Sequence, residues 1–267
     1  MSENSHLRGE RSLNSKPDST DSFELMVSIL IPARNASKFL KRAVESLESQ
    51  TYENWEAIIV DDGSNDSTYQ IAEQMVLQDS RLSLLRHEIS SGAAGARNLA
   101  LSVAKGRFIA FLDADDAWHP DKLSRQLEHI KSHGSGLSYT GFWRVNGNDR
   151  RQIHVPATVT REALLKSNCI GCLTVMYDRA IFGSVPMADI PRRQDYALWL
   201  TLLDQEDKAY GLNEPLGTYY VTKGSLSSNK LRAVMATWCM YHSHFHLSIF
   251  RSTFYLISNL LSRLLRG

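Results

Sequence analysis

Cysteine is scarce: Cys169, Cys172 and Cys239 cannot all pair within one chain and follow no disulfide framework. That excludes a small secreted scaffold stapled by bridges and points to a reducing compartment, the cytosol. An excess of either charge is also missing. Thirty Lys and Arg against 29 Asp and Glu leave a net charge of +1, so no global field recruits nucleic acid or repels a membrane. No run reaches the ~20 uninterrupted apolar residues of a spanning helix, because Arg251, Arg263 and Arg266 break even the greasy C-terminal stretch. Residues 1–24 are polar, lack the apolar core of a secretory signal and read as a disordered tail. Neither a Walker loop nor a Gly-x-Gly-x-x-Gly fingerprint occurs, so nucleoside-triphosphate hydrolysis and dinucleotide redox chemistry lack support.

What is present, 267 residues of which 43% are hydrophobic, suffices for one large mixed domain with a real core. From Val27 short β-branched runs alternate with amphipathic helices. Val27-Ser28-Ile29-Leu30-Ile31 reads as a buried strand that Pro32 ends. Leu40, Ala43, Val44 and Leu47 then fall at i, i+3, i+4 and i+7, after an Asn35/Ser37 start signal. The unit repeats: strand Ala57–Val60, a turn at Asp61-Asp62-Gly63-Ser64, and a helix burying Ile71, Ala72 and Met75. Strand Leu82–Leu85 leads through Gly92 and Gly95 into a helix with Ala96, Leu99, Ala100 and Val103 on its apolar face. Phe108–Leu112 is a fourth strand.

Such alternation predicts an α/β fold, a mostly parallel, right-handedly wound central sheet flanked by helices. Ligands of such sheets sit at the carboxyl ends of the strands. After Pro120 and a helix carrying Leu123, Leu127 and Ile130 the alternation stops. Leu137–Phe142 and Ile153–Val155, separated by a turn at Asn146-Gly147, read as antiparallel additions. A helix from about Asp195 and a strand over Leu216–Val221 follow.

Two acidic clusters carry the strongest chemical signal: Asp61-Asp62 after one strand and Asp113-Ala114-Asp115-Asp116 after another, expected to be neighbours in the sheet. In extended chain, residues i and i+2 point the same way, so Asp113 and Asp115 present two carboxylates to one side. Carboxylates that close repel unless a cation or proton intervenes. A hard divalent ion, Mn²⁺ or Mg²⁺, uses one or two carboxylates and completes its shell with phosphate oxygens and water. The plainer alternative is that both clusters are turns, where Asp is favoured.

The ordered segments Val27–Asn35, Ser49–Tyr52, Ile59–Ser64, Gly92–Asn98, Phe111–Asp116 and Arg193–Trp199 resemble family 2 inverting nucleotide-sugar glycosyltransferases, whose fold is called GT-A. The resemblance runs from about Val27 to Lys230. It is strongest to the branch that builds teichuronic acid, capsule or lipopolysaccharide chains, which shares the run Ile170–Met176. The resemblance implies a GT-A domain over 25–230 with a C-terminal helical extension over 231–267. It implies transfer of a hexose-type sugar from a nucleotide-diphosphate donor, UDP by custom of the relatives, to a glycan or lipid-linked glycan.

Residue by residue, Pro32 and Arg34 would border the nucleotide and Asp62 would accept a hydrogen bond from the base. Asp113 and Asp115 match the family's Asp-x-Asp motif, Asp115 as the direct metal ligand and Asp113 nearer ribose and sugar. Arg97 matches a basic position facing the donor, against the alternative of an ordinary exposed helix arginine. Asp195 matches the catalytic base, which must take the acceptor's proton. Gln194 stands where most members carry Glu, leaving Asp195 as the base. Arg192 and Arg193 would favour its ionised form and, with Trp199, are candidate acceptor or phosphate contacts.

Other signals are weaker. Cys169-Ile-Gly-Cys172 has zinc-like spacing without a second pair, and reads as two buried thiols. His242 and His246 share a helical face, which alone is thin evidence for a metal. Phe250, Phe254, Ile257, Leu261, Leu264 and Leu265 line one side of a C-terminal helix, with Arg251, Arg263 and Arg266 on the remainder. That side either lies in a membrane interface at the cytoplasmic face or packs on protein. Two rivals remain: a haloacid-dehalogenase-type phosphatase, whose Asp-x-Asp follows the first strand rather than the fourth, and a binding protein that has lost turnover.

Overall fold

The structure, a computed structural model, describes residues 25–222 and 230–266; the expected polar tail over 1–24 lies outside the described residues. The first half alternates: β1 (Val27–Ala33), α1 (Leu40–Glu48), β2 (Trp55–Asp62), α2 (Thr68–Gln78), β3 (Leu82–His87), α3 (Gly92–Val103) and β4 (Phe108–Phe111). These strands pair in parallel in the order β3-β2-β1-β4, the expected wound sheet. The acidic clusters therefore do not end adjacent strands: β1 lies between β2 and β4, and its own end, Pro32 to Arg34, stands between the carboxylates.

Period-two alternation explains why these strands read as continuous apolar runs: both faces are covered. Ile29, Ile31, Ala57, Ile59 and Ala110 pack with Leu40, Ala43, Val44 and Leu47 of α1. Leu30, Ile58, Val60, Ile109 and Phe111 pack on the opposite face with Ala96 and Ala100 of α3. Leu40, Val44 and Leu47 are fully buried, each contributing roughly 1.5–3 kcal/mol relative to exposure.

Three local expectations need correction. First, β1 continues one residue past Pro32. Leu112 N–H donates to the Leu30 carbonyl at 3.2 Å, so even-numbered residues of β1 turn their backbone toward β4; Pro32 comes after that pairing has ended, where a missing donor costs the ladder nothing. Second, Asn35 does not cap α1, which begins at Leu40 without a side-chain cap. Asn35 instead takes φ 50° and bridges two loops: its Oδ1 accepts from Asn65 N–H at 2.9 Å and its own N–H donates to Ser64 Oγ at 3.0 Å. Third, the buried side of α3 includes Arg97 and Leu101, while Val103 is 44% exposed. The face is rotated because a charged partner for Arg97 lies across from it.

The second half contains β5 (Ala117–Trp118), α4 (Lys122–His133), β6 (Leu137–Asn146), β7 (Asp149–Ile153), β8 (Thr158–Val159), α5 (Arg161–Lys166), a 3₁₀ turn (Cys172–Thr174), β9 (Met176–Asp178), α6 (Arg179–Phe182), α7 (Gln194–Leu202), β10 (Ala209–Tyr220), α8 (Lys230–Cys239), a π turn (Met240–His244) and α9 (Ile249–Arg266). The sheet continues β4-β9-β6-β10-β5. The expected antiparallel additions are there: β9 runs antiparallel to both β4 and β6, and β7 folds back on β6. β10 departs from that pattern by lying parallel to β6, with two register shifts.

Candidate active site

At the carboxyl end of β2 the two aspartates point to opposite faces, as alternation requires. Each meets its ladder partner on β3: Asp61 is paired with Arg86 and Asp62 with His87. Asp61 is fully buried, its Oδ2 3.4 Å from Arg86 Nε, and neither oxygen accepts a hydrogen bond among the described residues. Asp62 is the opposite case. It accepts from Ser90 Oγ (2.6 Å), Ser91 N–H (2.8 Å), Ser91 Oγ (3.1 Å) and Gly92 N–H (2.9 Å), with His87 Nδ1 at 2.9 Å. Burial pushes its carboxyl up, but the bonds from Ser90, Ser91 and His87 outweigh this and hold it below the usual range.

Asp62 thus braces the loop that opens α3, and a nucleobase donor would have to displace one of these partners. Gly63 permits the arrangement. It takes φ +65°, and a Cβ there would come within 3.1 Å of the Ser90 nitrogen. Arg34 Nη1, just past the end of β1, donates to Ser90 Oγ at 2.7 Å and so borders the same loop, while Pro32 is half-buried near that strand end.

Beyond β4, Asp113, Asp115 and Asp116 form a second cluster. Asp113 is ion-paired with Arg97, which is 6% exposed. The alternative of an ordinary exposed arginine is therefore excluded. Asp115 accepts from Thr222 Oγ1 at 2.9 Å, and its carbonyl accepts from Arg42, whose guanidinium lies 3.6 Å over the Tyr220 ring. Asp116 accepts from Tyr220 N–H at 3.0 Å. Burial and then the charge of Asp113 push the Asp115 carboxyl up; Asp116 rises well above its ordinary value from burial and from Asp113 and Asp115.

Asp195 occupies the first turn of α7, half-buried. Burial alone would lower the pKa of Arg97, yet it is raised because Asp113 and Asp195 both act on it. The guanidinium that pairs with Asp113 at the end of β4 thus also feels the charge of Asp195 at the start of α7, and its Nε has no partner among the described residues. Cys172 stands in the same place. Burial, with Asp113, Asp195 and Asp116, pushes its thiol well up, so it is held protonated and is no nucleophile. Among the described residues no disulfide forms; Cys169 and Cys172 are half-buried and Cys239 is exposed.

Two contributors had little sequence signal. Asn98 clasps the backbone of the segment before Asp195: its Nδ2 donates to the Met187 carbonyl at 2.9 Å and its Oδ1 accepts Met187 N–H at 2.8 Å. Its place in the Gly92–Asn98 segment was the only hint. Arg42, on the outer turn of α1, had none.

The expected acceptor contacts fare differently. Trp199 is wholly buried, edge-on to Phe111 at 5.4 Å, so it is core and offers nothing to an acceptor. Its place one α-helical turn beyond Asp195 puts it under the site. Arg193, at φ 70°, sends Nε to Thr237 Oγ1 on α8 at 3.0 Å, a structural anchor. Arg192 is half-buried beside it.

Among the described residues no three His, Cys, Asp or Glu side chains gather as a metal cage. A hard cation does not require one when a diphosphate supplies oxygens. Asp113 and Asp115 offer such an ion two carboxylates close enough that the charge of Asp113, after burial, helps push the Asp115 carboxyl up.

The model of glycosyl transferase family 2 matches residues 28–182, more than half of the chain. The chain belongs to this family. Among its relatives, the putative teichuronic acid biosynthesis glycosyltransferase TuaG of Bacillus subtilis (strain 168) is 41% identical over 231 residues, 85% of this chain and 92% of the relative. An Escherichia coli protein named UDP-Glc:alpha-D-GlcNAc-diphosphoundecaprenol beta-1,3-glucosyltransferase WfgD is 37% identical over 218 residues, 80% of this chain and 85% of that one. The crystal structure of S. aureus TarS 1-349 in complex with UDP-GlcNAc superposes with a TM-score of 0.68 at 21% identity, covering 86% of this chain and 70% of that one. The mannosyltransferase PcManGT from Pyrobaculum calidifontis, in complex with GDP-Man and Mn²⁺, gives 0.63 at 15% identity, covering 92% and 73%. The family 2 fold here is GT-A, as the sequence led us to expect.

Proposed function

We propose that this family 2 protein is an inverting glycosyltransferase that moves a hexose-type sugar from a UDP-sugar to a hydroxyl of a lipid-linked glycan, in surface-polysaccharide assembly at the cytoplasmic face of a membrane. The observation that carries the reading is the buried Arg97, under the influence of both Asp113 and Asp195. This arginine is ion-paired with a carboxylate at the end of β4 and feels the charge of a carboxylate on α7, which supports reading the two as one centre. Support for the substrate classes comes from relatives: the name of WfgD specifies UDP-Glc and a diphosphoundecaprenol acceptor, and TarS is described with UDP and UDP-GlcNAc.

Pro32, Arg34 and the Asp62-braced loop border the nucleotide, and Arg97 faces its diphosphate. Asp115, assisted by Asp113, would hold a divalent ion, Mn²⁺ or Mg²⁺, which when bound neutralises charge on the diphosphate. Asp195 takes the proton of the acceptor hydroxyl as that oxygen bonds to the anomeric carbon. The carbon–oxygen bond to phosphate breaks on the opposite face, its electron pair leaves on the nucleoside diphosphate, and the anomeric centre inverts. Arg97 stabilises the departing charge from a dry, fixed position.

The test is a pair of variants. Asp195→Asn should bind UDP-sugar nearly as wild type, by thermal shift, and lose transfer; Asp115→Ala should weaken Mn²⁺-dependent donor binding itself. Transfer by Asp195→Asn at the wild-type rate would remove the assigned base.

A further inference from the structure

Helix α9 is amphipathic in the reverse sense for a helix that folds onto its own domain. Its inward side is polar: Ser252 and Asn259 are buried, and the buried Tyr255 donates from its hydroxyl to Glu162 of α5 at 2.7 Å. Its outward side carries Phe250 (87% exposed), Phe254 (56%), Ile257 (52%) and Leu261 (54%), at i, i+4, i+7 and i+11. The expected apolar stripe is there, but it faces away from the protein. The parts of it at Leu264 and Leu265, with Arg263 and Arg266, lie outside the described side chains. α8, packed against α9, likewise exposes Leu231 and Met235, one turn apart. Side chains of this size gain roughly 1.5–3 kcal/mol each when fully covered.

Charge identifies the cover. Beyond Glu214 the sequence holds no Asp or Glu and six of the 30 Lys and Arg residues: Lys223, Lys230, Arg232, Arg251, Arg263 and Arg266. The first 214 residues keep 24 basic against all 29 acidic ones, so a nearly neutral chain is divided into an acidic body and a basic end. A second copy would bring the same positive charge to the contact. Acyl chains beneath anionic headgroups satisfy both the apolar stripe and the basic residues. Among the described residues no helix is long and apolar enough to cross a membrane, which leaves α9 in the plane of the interface.

We infer that the outward face of α8 and α9 seats the enzyme on an anionic lipid surface and thereby orients Asp195 toward a lipid-linked acceptor; the orientation, though not the docking, rests on the transferase reading. The coupling is direct. Arg193 Nε donates to Thr237 on α8, and the Tyr196 and Tyr241 hydroxyls lie 2.7 Å apart. Arg193 and Tyr196 flank Gln194 and Asp195, so the segment that holds the base is bolted to the platform.

The experiment is sedimentation of the full chain with vesicles of phosphatidylglycerol and phosphatidylethanolamine, or of phosphatidylcholine alone, with gel filtration alongside. Wild type should bind the anionic vesicles, less so at high salt, and the neutral ones weakly. The variant Phe250→Ser/Phe254→Ser/Leu261→Ser should lose about tenfold or more of that binding. It should keep wild-type transfer to a water-soluble acceptor and lose transfer to a lipid-linked one. Failure of wild type to bind anionic vesicles, undiminished binding by the variant, or a dimer that the variant dissolves would each overturn the inference. Vesicle binding without transfer activity would retire the transferase reading and leave the docking surface standing.

Discussion

Arg97 is buried against Asp113, and this ion pair ties α3 to the carboxyl end of β4. Removing the cation leaves Asp113 without its buried counter-charge. Arg97→Met should therefore destabilise the protein by about 3 kcal/mol or more and abolish transfer. Urea unfolding measures the first and a donor-turnover assay the second. Arg97→Lys should recover part of the stability but little transfer, because an ammonium lacks the planar fork.

Asn98 holds the Met187 backbone through both its donor and its acceptor. Asn98→Ala should cost about 1–3 kcal/mol for the groups left unpaired and let the segment before Asp195 drift. A displacement of that kind lowers kcat by on the order of tenfold to a hundredfold while the donor Kd changes little. A weakened donor Kd with intact kcat would count against the assignment of Asn98 to the base side of the site.

Arg42 bonds the carbonyl of Asp115, the proposed metal ligand, and stacks on Tyr220. Loss of the stack costs about 1 kcal/mol, so Arg42→Ala should fold. Titration of donor in the presence of Mn²⁺ should show weaker binding, with the same titration in EDTA little affected. An equal loss in both conditions would separate Arg42 from Asp115.

Lys122 is fully buried, its Nζ 2.5 Å from Gln126 Oε1 and 4.3 Å over the Trp118 ring, and burial pushes its pKa down to about 7. The folded state therefore releases this proton at lower pH than the unfolded chain, whose lysine titrates near 10.4. Between these values the unfolded state binds more protons, so this group makes stability rise with pH, while below about 7 both states are charged and the full penalty applies. Lys122→Met should raise the midpoint of thermal unfolding at pH 6, by an amount equivalent to roughly 2 kcal/mol or more, and the gain should shrink toward pH 10. A gain independent of pH would show that the lysine penalty has another origin.

The parts of the fold written in local patterns were legible. Leu40, Ala43, Val44 and Leu47 are the buried face of α1, and Arg97 of the Gly92–Asn98 segment pairs with Asp113 at the end of β4. Three things were not legible, and each depends on residues far apart in sequence. β1 separates the two acidic strand ends, Trp199 is core rather than acceptor surface, and Asp62 spends its oxygens on the loop from His87 to Gly92.

The sequence by itself determined which segments are strands and helices and which residue types gather at the strand ends, because periodicity and the chemistry of carboxylates are local properties. Only the tertiary structure decided which partner each charge meets and which side of a helix faces water. Arg97 is buried in an ion pair with Asp113, and α9 turns Phe250 outward while Tyr255 bonds Glu162 within. Such choices follow from hydrogen bonds and ion pairs between elements that no window along the chain contains.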